Sequence, residues 1–394
     1  MMRITAKIRT VGLLTLSLLL ALPITTGAKE AAPEPPSTHA QAAALIDVTS
    51  GRILYSSHGD EELPIASLTK IMTAIVAIEH GKTDEKVKVS RNAFGKEGSS
   101  IYLHLGEEMS LENMLYGLML RSGNDAATAI AEYVGGSEQG FVHLMNEKVK
   151  LLGLEHTAFQ NPHGLDAKGH YSSANDLAKL TAYALHNPLF KEIVRTPSRK
   201  APNPNDPWDY RWDNKNKMLR FYEGADGVKT GYTKTARRCL VSSATRNGQQ
   251  LVAVTINDGD DWNDHRKLLD FGFSQYPLKT LVEEGQPVQN DLKTGTSFSY
   301  PLSEQEKEDV EIRLALKKGG IDSFGYRGEI DISIGNSRIG SVPVYDKRQE
   351  RQTSPAKPSF GTEEAASAGT RAMNKRFTWS GSLGAVLRAL LFAG

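Results

Sequence analysis

Pro64-Ile65-Ala66-Ser67-Leu68-Thr69-Lys70 runs on without a break into Ile71-Met72-Thr73-Ala74-Ile75-Val76-Ala77-Ile78. A proline ahead of a long apolar run that meets no glycine or proline until Gly81 predicts a helix whose first turn holds Ser67 and Lys70. Such a segment is too apolar to lie on a surface, so the rest of the domain must close around it. Residues three apart share one helix face, which lets the Lys70 amine reach the Ser67 hydroxyl beside the unpaired N–H groups of the helix start. The pair reads as a nucleophile with its base, carried on a rigid element. The same spacing recurs at Ser354-Pro355-Ala356-Lys357, in a polar, proline-containing stretch with no helix to carry it. Context separates the two.

Upstream, Ala42 to Asp47 and Arg52 to Tyr55 flank Val48-Thr49-Ser50-Gly51 and predict a β-hairpin. Downstream, helical patterns run over Leu111 to Leu120, Ala126 to Val134, Gly140 to Leu152 and Asp176 to Leu185. Strand patterns return near Gly227, most clearly at Arg238 to Ala244 and Leu251 to Ile256. Strands first, helices in the middle and strands last predict an α/β domain over 36–275, with one sheet built from both ends and covered by helices. Past residue 276, Val310, Ile312, Leu314 and Leu316 alternate with other residues, as do Ile330, Ile332 and Ile334 before the turn Gly335-Asn336. This predicts a small all-β domain over 276–346.

The two ends of the chain differ from the middle. Arg3, Lys7 and Arg9 precede an apolar segment, Val11 to Ile24, and the small residues Thr26-Gly27-Ala28, the pattern of a secretory signal over 1–28. Cleavage after Ala28 or Ala40 fits, and a retained anchor is the alternative reading. A polar linker spans 347–371, and 372–394 then places Phe377, Trp379, Leu383, Val386, Leu387, Leu390, Leu391 and Phe392 as an apolar stripe behind Lys375 and Arg376. That tail is too short to cross a bilayer, but it predicts an amphipathic helix at a membrane surface, the alternative being that it docks on the β domain. A formal net charge of +1 gives no electrostatic case for nucleic acid, and a single cysteine, Cys239, excludes an internal disulfide framework.

Two further motifs complete a candidate site. Ser122-Gly123-Asn124 falls at the break between two helical runs, where both polar side chains can face a cleft. Lys229-Thr230-Gly231 leads into the strand region around Leu240, offering a cation, a hydroxyl and a glycine that allows close backbone approach. That set suits an anionic, extended peptide end. Each motif has decoys: Ser90-Arg91-Asn92, Ser173-Ala174-Asn175, and Lys293-Thr294-Gly295, the last in a polar stretch with no strong strand pattern.

Ser-x-x-Lys, Ser-x-Asn and Lys-Thr-Gly, in this order and these contexts, form the motif set of penicillin-recognising serine enzymes. Together with Leu118 to Ala127, Asn161-Pro162-His163-Gly164-Leu165-Asp166 and Tyr171 to Ala178, they make the chain resemble the low-molecular-mass penicillin-binding proteins, D-alanyl-D-alanine carboxypeptidases of peptidase family S11. The likeness covers residue 40 to about residue 345. Trp212 to Lys217, Lys229 to Lys234 and Ala253 to Asp258 resemble most the sporulation-associated members of Bacillus-like bacteria, a vegetative carboxypeptidase being the alternative.

The resemblance implies a transpeptidase/β-lactamase-like fold and an exported enzyme at the outer face of the cytoplasmic membrane. It implies action on peptidoglycan stem peptides, acylation by β-lactams, and no cofactor or metal. It implies Ser67 as nucleophile, Lys70 as base, Ser122 as proton relay and Asn124 as the holder of Lys70. Lys229 and Thr230 would bind the terminal carboxylate, with Gly231 and Tyr232 lining the strand and the Tyr232 N–H joining that of Ser67 at the oxyanion. His163 would lie near the cleft, either positioning water or stabilising its loop. Some family members carry a carboxylate-binding arginine on the last strand; Ile256 to Asp261 has none, which leaves Arg237, Arg266 or no arginine.

Three rivals share parts of this pattern. A class A β-lactamase needs a glutamate after the second motif, and none occurs between Asn161 and Asp176. A zinc peptidase needs clustered ligands, and the ten histidines are scattered without a His-Glu-x-x-His. A catalytically silent penicillin sensor or wall-binding protein would not need three intact motifs. Cys239 reads as a buried strand residue.

Overall fold

A computed structural model describes residues 34–289, 291–317 and 325–347. The expected signal segment, most of the linker and the amphipathic tail lie outside the described residues.

The first sheet has five strands, β1 (Ala40–Asp47), β2 (Ile53–Ser57), β3 (Ala225–Thr233), β4 (Arg237–Arg246) and β5 (Gln249–Asp258), in the order β2-β1-β5-β4-β3 and antiparallel throughout. Its N-terminal hairpin and C-terminal strands meet where Leu45 pairs with Ala253. β1 reads as an unbroken apolar run because both of its faces are covered. Ala42, Ala44 and Ile46 enter the larger core, and Ala43 and Leu45 enter a second core on the other face.

The larger core is helical. It contains α1 (Lys70–His80), α2 (Leu111–Tyr116), α3 (Asn124–Gly135), α4 (Glu138–Leu152), α5 (Ala174–Leu185) and α6 (Pro188–Arg195). Every residue of α1 from Lys70 to Ala77 is buried, so this helix is the axis of the domain. Ser137 and Ser173 cap α4 and α5 by accepting hydrogen bonds from Gly140 N and Asp176 N, and Asn187 caps α6 ahead of Pro188. The decoy Ser173 is thus a helix cap.

Two short turns depart from the expected pattern. Ser67 sits in a 3₁₀ turn, Ala66–Thr69, and the α-helix begins only at Lys70. Ala66 takes a left-handed backbone, φ 47°, which tightens the entry into a 3₁₀ turn. The run from Leu111 is α-helical only to Tyr116, then winds as a π turn, Gly117–Arg121, and stops at Ser122 with φ 67°. Asn124 is therefore the first residue of α3, while Ser122 stays on the connecting loop.

The second core lies under α8 (Asp261–Gln275), which follows the short α7 (Met218–Phe221) and which the sequence pattern does not announce. Only Leu268 and Leu269 are buried large apolar residues on it. Gly272 brings the helix against the sheet: a Cβ there would lie 2.6 Å from Leu251 Cδ1 and 2.7 Å from Leu45 Cδ2.

Beyond residue 276 a second five-stranded sheet forms from Pro287–Val288, Leu292–Thr294, Ser337–Asp346, Tyr326–Ile334 and Val310–Leu316, in that order. Val282, Leu292, Ile330, Ile332, Val342 and Val344 fill its core. Arg52, on the β1–β2 hairpin, reaches this part of the chain by donating to Pro301 O at 2.6 Å and pairing with Glu306. The decoy Lys293-Thr294-Gly295 corrects its own expectation, because Leu292–Thr294 is a strand of this sheet. Three residues are too few to show an alternation, and Thr294 is used internally, donating to Glu283 O.

Candidate active site

Lys70 is fully buried at the start of α1, and its Nζ lies 2.7 Å from Asn124 Oδ1, 2.5 Å from the His163 carbonyl and 3.2 Å from Ser67 Oγ. A neutral amine has two N–H donors and one lone pair. The two carbonyl oxygens take the donors, which leaves the lone pair for the Ser67 hydroxyl proton. Burial lowers the Lys70 pKa well below the ordinary lysine value, and the charges of Lys229 and Lys215 push it the same way against a smaller opposing effect of Asp125. Geometry and electrostatics both favour the free amine.

The Ser67 turn is held from behind. Gly164, φ 84°, packs so closely that a Cβ would lie 2.0 Å from Ala66 O, a place that only glycine can take. Thr69 Oγ1 donates to Ala66 O, His170 Nε2 meets Thr69 Oγ1 at 2.8 Å, and Thr73 Oγ1 donates to Pro162 O. This packing carries the His163 carbonyl to Lys70. The His163 ring is engaged elsewhere: Nδ1 accepts from Leu165 N and Nε2 lies 3.5 Å from Glu138 Oε1. Burial lowers the His163 pKa, while the His163 and Lys96 contacts hold the Glu138 carboxyl down at about 2.

Asn124 is fixed on three sides. Its Oδ1 accepts from Lys70, its Nδ2 donates to Glu97 O at 2.6 Å, and its backbone N donates to Ser99 O at 2.7 Å. The adjacent Asp125 accepts from Ser100 Oγ and from the Ile101 and Leu103 N–H groups, which ties the 97–103 segment to the start of α3. The Ser122 hydroxyl is buried and has no hydrogen-bond partner among the described residues.

Lys229 is buried on β3, its Nζ donating to Thr230 O at 2.7 Å, and burial followed by the charge of Lys215 pushes its pKa down to about 7. Thr230 and Gly231 are half-buried and Tyr232 is 62% exposed. β3 passes directly against Ser67: a Cβ on Gly231 would lie 3.2 Å from both Ile65 O and Ser67 N. Of the two arginine candidates, Arg266 bonds Asn263 on α8, across the sheet from α1, whereas Arg237 lies in the β3–β4 hairpin opposite Thr233. Cys239 is buried on β4, and burial raises its thiol to about 12.

Sequence reasoning passes over four contributors. Lys215 brings a second cation toward Lys70 and Lys229; Asp125 holds the 97–103 segment; Glu138 engages the His163 ring; Gly164 admits the loop behind Ser67. Asp125 and Gly164 carried a signal, standing next to Asn124 and His163.

The family model for D-alanyl-D-alanine carboxypeptidases, Peptidase S11, matches residues 29–260. The chain is 38% identical over 289 residues to the D-alanyl-D-alanine carboxypeptidase DacF of Bacillus subtilis, covering 71% of this chain and 73% of that protein. It is 35% identical to DacC of Escherichia coli, likewise named a D-alanyl-D-alanine carboxypeptidase, over 81% of this chain and 86% of that one. Among solved structures, penicillin binding protein 5 from Haemophilus influenzae superposes with a TM-score of 0.65 at 27% identity, covering 79% of this chain and 98% of that one. Penicillin binding protein 6B from Escherichia coli also gives 0.65, at 28% identity over 80% of this chain and 97% of that one.

Proposed function

The chain belongs to the D-alanyl-D-alanine carboxypeptidases of peptidase family S11, and we propose that it removes the terminal D-alanine from peptidoglycan stem peptides through an acyl-enzyme on Ser67. The observation that carries this reading is the Lys70 amine, stripped of solvent, with both N–H donors engaged and Ser67 Oγ at 3.2 Å.

Lys70 takes the Ser67 proton as Oγ attacks the carbonyl of the penultimate D-alanine, forming a tetrahedral oxyanion between the N–H groups of Ser67 and Tyr232. The tight approach of Gly231 to Ser67 N supports that pairing of donors. The C–N bond then breaks, and the departing D-alanine amine receives its proton through Ser122, whose buried hydroxyl has no other partner among the described residues. Water attacks the resulting ester and regenerates Ser67. Penicillin acylates the same hydroxyl, because its strained amide and carboxylate resemble the dipeptide end.

Lys229 and Thr230 bind the terminal carboxylate, a contact that selects a free C-terminus over an internal bond. Lys229→Ala is expected to lower kcat/KM for a D-Ala-D-Ala peptide on the order of a hundredfold, and to remove the preference for the free acid over its C-terminal amide. Steady-state release assays on both peptides check this, and a variant that keeps the full preference contradicts the assignment.

The enzyme acts on the cell wall, and the exported site of action follows from that substrate. The finer arrangement belongs to the same proposal: a signal over 1–28, a catalytic domain over 36–275, an all-β domain over 276–346, a linker over 347–371 and a membrane-surface helix over 372–394. Its place is the outer face of the cytoplasmic membrane, and its role is maturation of the spore cortex or cell wall. Among the described residues no helix is long and apolar enough to cross a membrane, and the basic and apolar spacing of the tail supports peripheral attachment. Deleting 372–394 is expected to move the protein from the membrane pellet to the soluble fraction. Equal sedimentation of both forms contradicts the anchor.

A further inference from the structure

The start of β1 and the end of β5 meet at the head of α8, which packs on the face of the sheet opposite α1. Ala40 pairs there with Asp258, so His39 arrives beside the turn Asp258-Gly259-Asp260. One donor atom from each of His39, Asp260 and Asp264 lies within 4.8 Å of the other two. His39 Nδ1 and Asp264 Oδ2 already stand 3.0 Å apart. Ligands of a tetrahedral zinc ion are about 3.4 Å apart, so each donor needs to move by about 1 Å at most to share one.

Asp258 points to a cation independently. It is 2% exposed and turns its carboxylate toward the head of α8: Oδ1 accepts from Asp260 N at 2.9 Å, while Oδ2 is buried with no hydrogen-bond partner among the described residues. Burial raises the Asp258 pKa, and the Asp264 and Asp261 charges push it the same way against the Asp260 N–H. Asp258, Asp260, Asp261 and Asp264 gather here against two cations, Lys267 at 2.8 Å from Asp264 Oδ1 and Arg238 on Asp261. The carboxylates outnumber their partners, and a divalent ion matches the excess. Asp260 accepts only from Asn263 Nδ2, and Asp264 Oδ2 from His39, so each of these oxygens keeps a lone pair for a metal.

We propose that His39, Asp260 and Asp264 bind one zinc ion, with Asp258 as its buried counter-charge, and that the ion fastens the chain entering β1 to α8. An imidazole among carboxylates suits zinc, whereas calcium and magnesium take oxygen ligands. The site lies across the sheet from α1, so the ion serves stability and takes no part in the chemistry at Ser67. It uses His39, which fits signal cleavage after Ala28 and not after Ala40. The inference is independent of the carboxypeptidase reading.

The test is zinc binding by the full-length, untagged protein after stripping with EDTA, read by equilibrium dialysis and by melting temperature. One zinc ion per chain is expected, with a Kd on the order of 1 µM and a melting temperature about 5 °C higher in about 100 µM zinc. Calcium and magnesium at the same concentration are expected to give no rise. H39A removes an exposed ring, and D260N keeps an oxygen for Asn263. Each is expected to weaken zinc binding by about tenfold or more and to abolish the rise, while labelled penicillin is taken up as by the wild type. No bound zinc, zinc binding unchanged in both variants, or an equal rise with calcium overturns the site.

Discussion

Ser67→Ala is expected to take up no labelled penicillin and to lower kcat for D-alanine release on the order of 10⁵-fold. The side chain is half-buried at the mouth of the 3₁₀ turn, and removing one oxygen leaves the backbone of that turn, Gly231 beside it and Lys229 on β3 in place. Peptide binding should therefore survive while covalent chemistry disappears. Intact-protein mass spectrometry after exposure to penicillin reads the first effect, and D-alanine release reads the second. A mass increase in the variant would move the nucleophile elsewhere, with Ser122 the next hydroxyl to test.

Lys70→Met is expected to lower kcat/KM by about 10³- to 10⁴-fold, for peptide cleavage and for acylation by penicillin alike. Methionine keeps most of the side-chain volume in a fully buried position, so no large cavity opens. The exchange leaves Asn124 Oδ1 and the His163 carbonyl without a donor, a cost of about 1–3 kcal/mol each, offset by relief from burying an amine. A melting temperature near that of the wild type, with activity lost, separates catalysis from folding.

The same residue shapes the pH profile. In the proposed mechanism a protonated Lys70 cannot accept the Ser67 proton, so the wild-type rate is expected to fall as pH drops through the lowered Lys70 pKa. In its proposed role Lys229 must be charged to hold a carboxylate, so kcat/KM is expected to fall again as pH rises through its pKa of about 7. A bound carboxylate favours the charged lysine, which puts the alkaline limb of kcat above that of kcat/KM. Lys70→Met removes the acid limb from what activity remains.

How much of this was legible beforehand depends on the range of the interaction involved. α1 was readable because an apolar segment with no breaker, Ile71 to Ile78, has few alternatives to a buried helix. The hairpin Ala40–Ser57 and the strands of residues 225–258 were readable for a similar reason, each carrying its pattern within a few residues. The 3₁₀ turn at Ser67 was not, because Gly164, some hundred residues away, presses on Ala66 and its contribution is purely steric. α8 was hidden by its own composition: two leucines and a close-packed glycine are its buried apolar positions, while charged and uncharged polar residues together outnumber the apolar ones in its sequence.

The site divides along the same line. Ser67, Lys70 and Asn124 sit in local patterns with chemical meaning, and the fold brings Ser67 and Asn124 each within hydrogen-bond reach of Lys70. The third partner of Lys70 is a main-chain carbonyl, at His163, which no pattern of side chains could announce. Lys215 acts through charge across a gap between elements, and nothing in Asn214-Lys215-Asn216 marks it. Lys293-Thr294-Gly295 shows the opposite failure, a motif in letters only, committed to a different sheet.

The most direct test is D-alanine release by the full-length wild-type protein from a peptide ending in D-Ala-D-Ala, at neutral pH and with penicillin as inhibitor. Many D-alanines freed per protein molecule, stopped by an amount of penicillin that labels Ser67, is the predicted result. No release from a protein that still takes the label on Ser67 would contradict the account and leave a penicillin-binding sensor in its place.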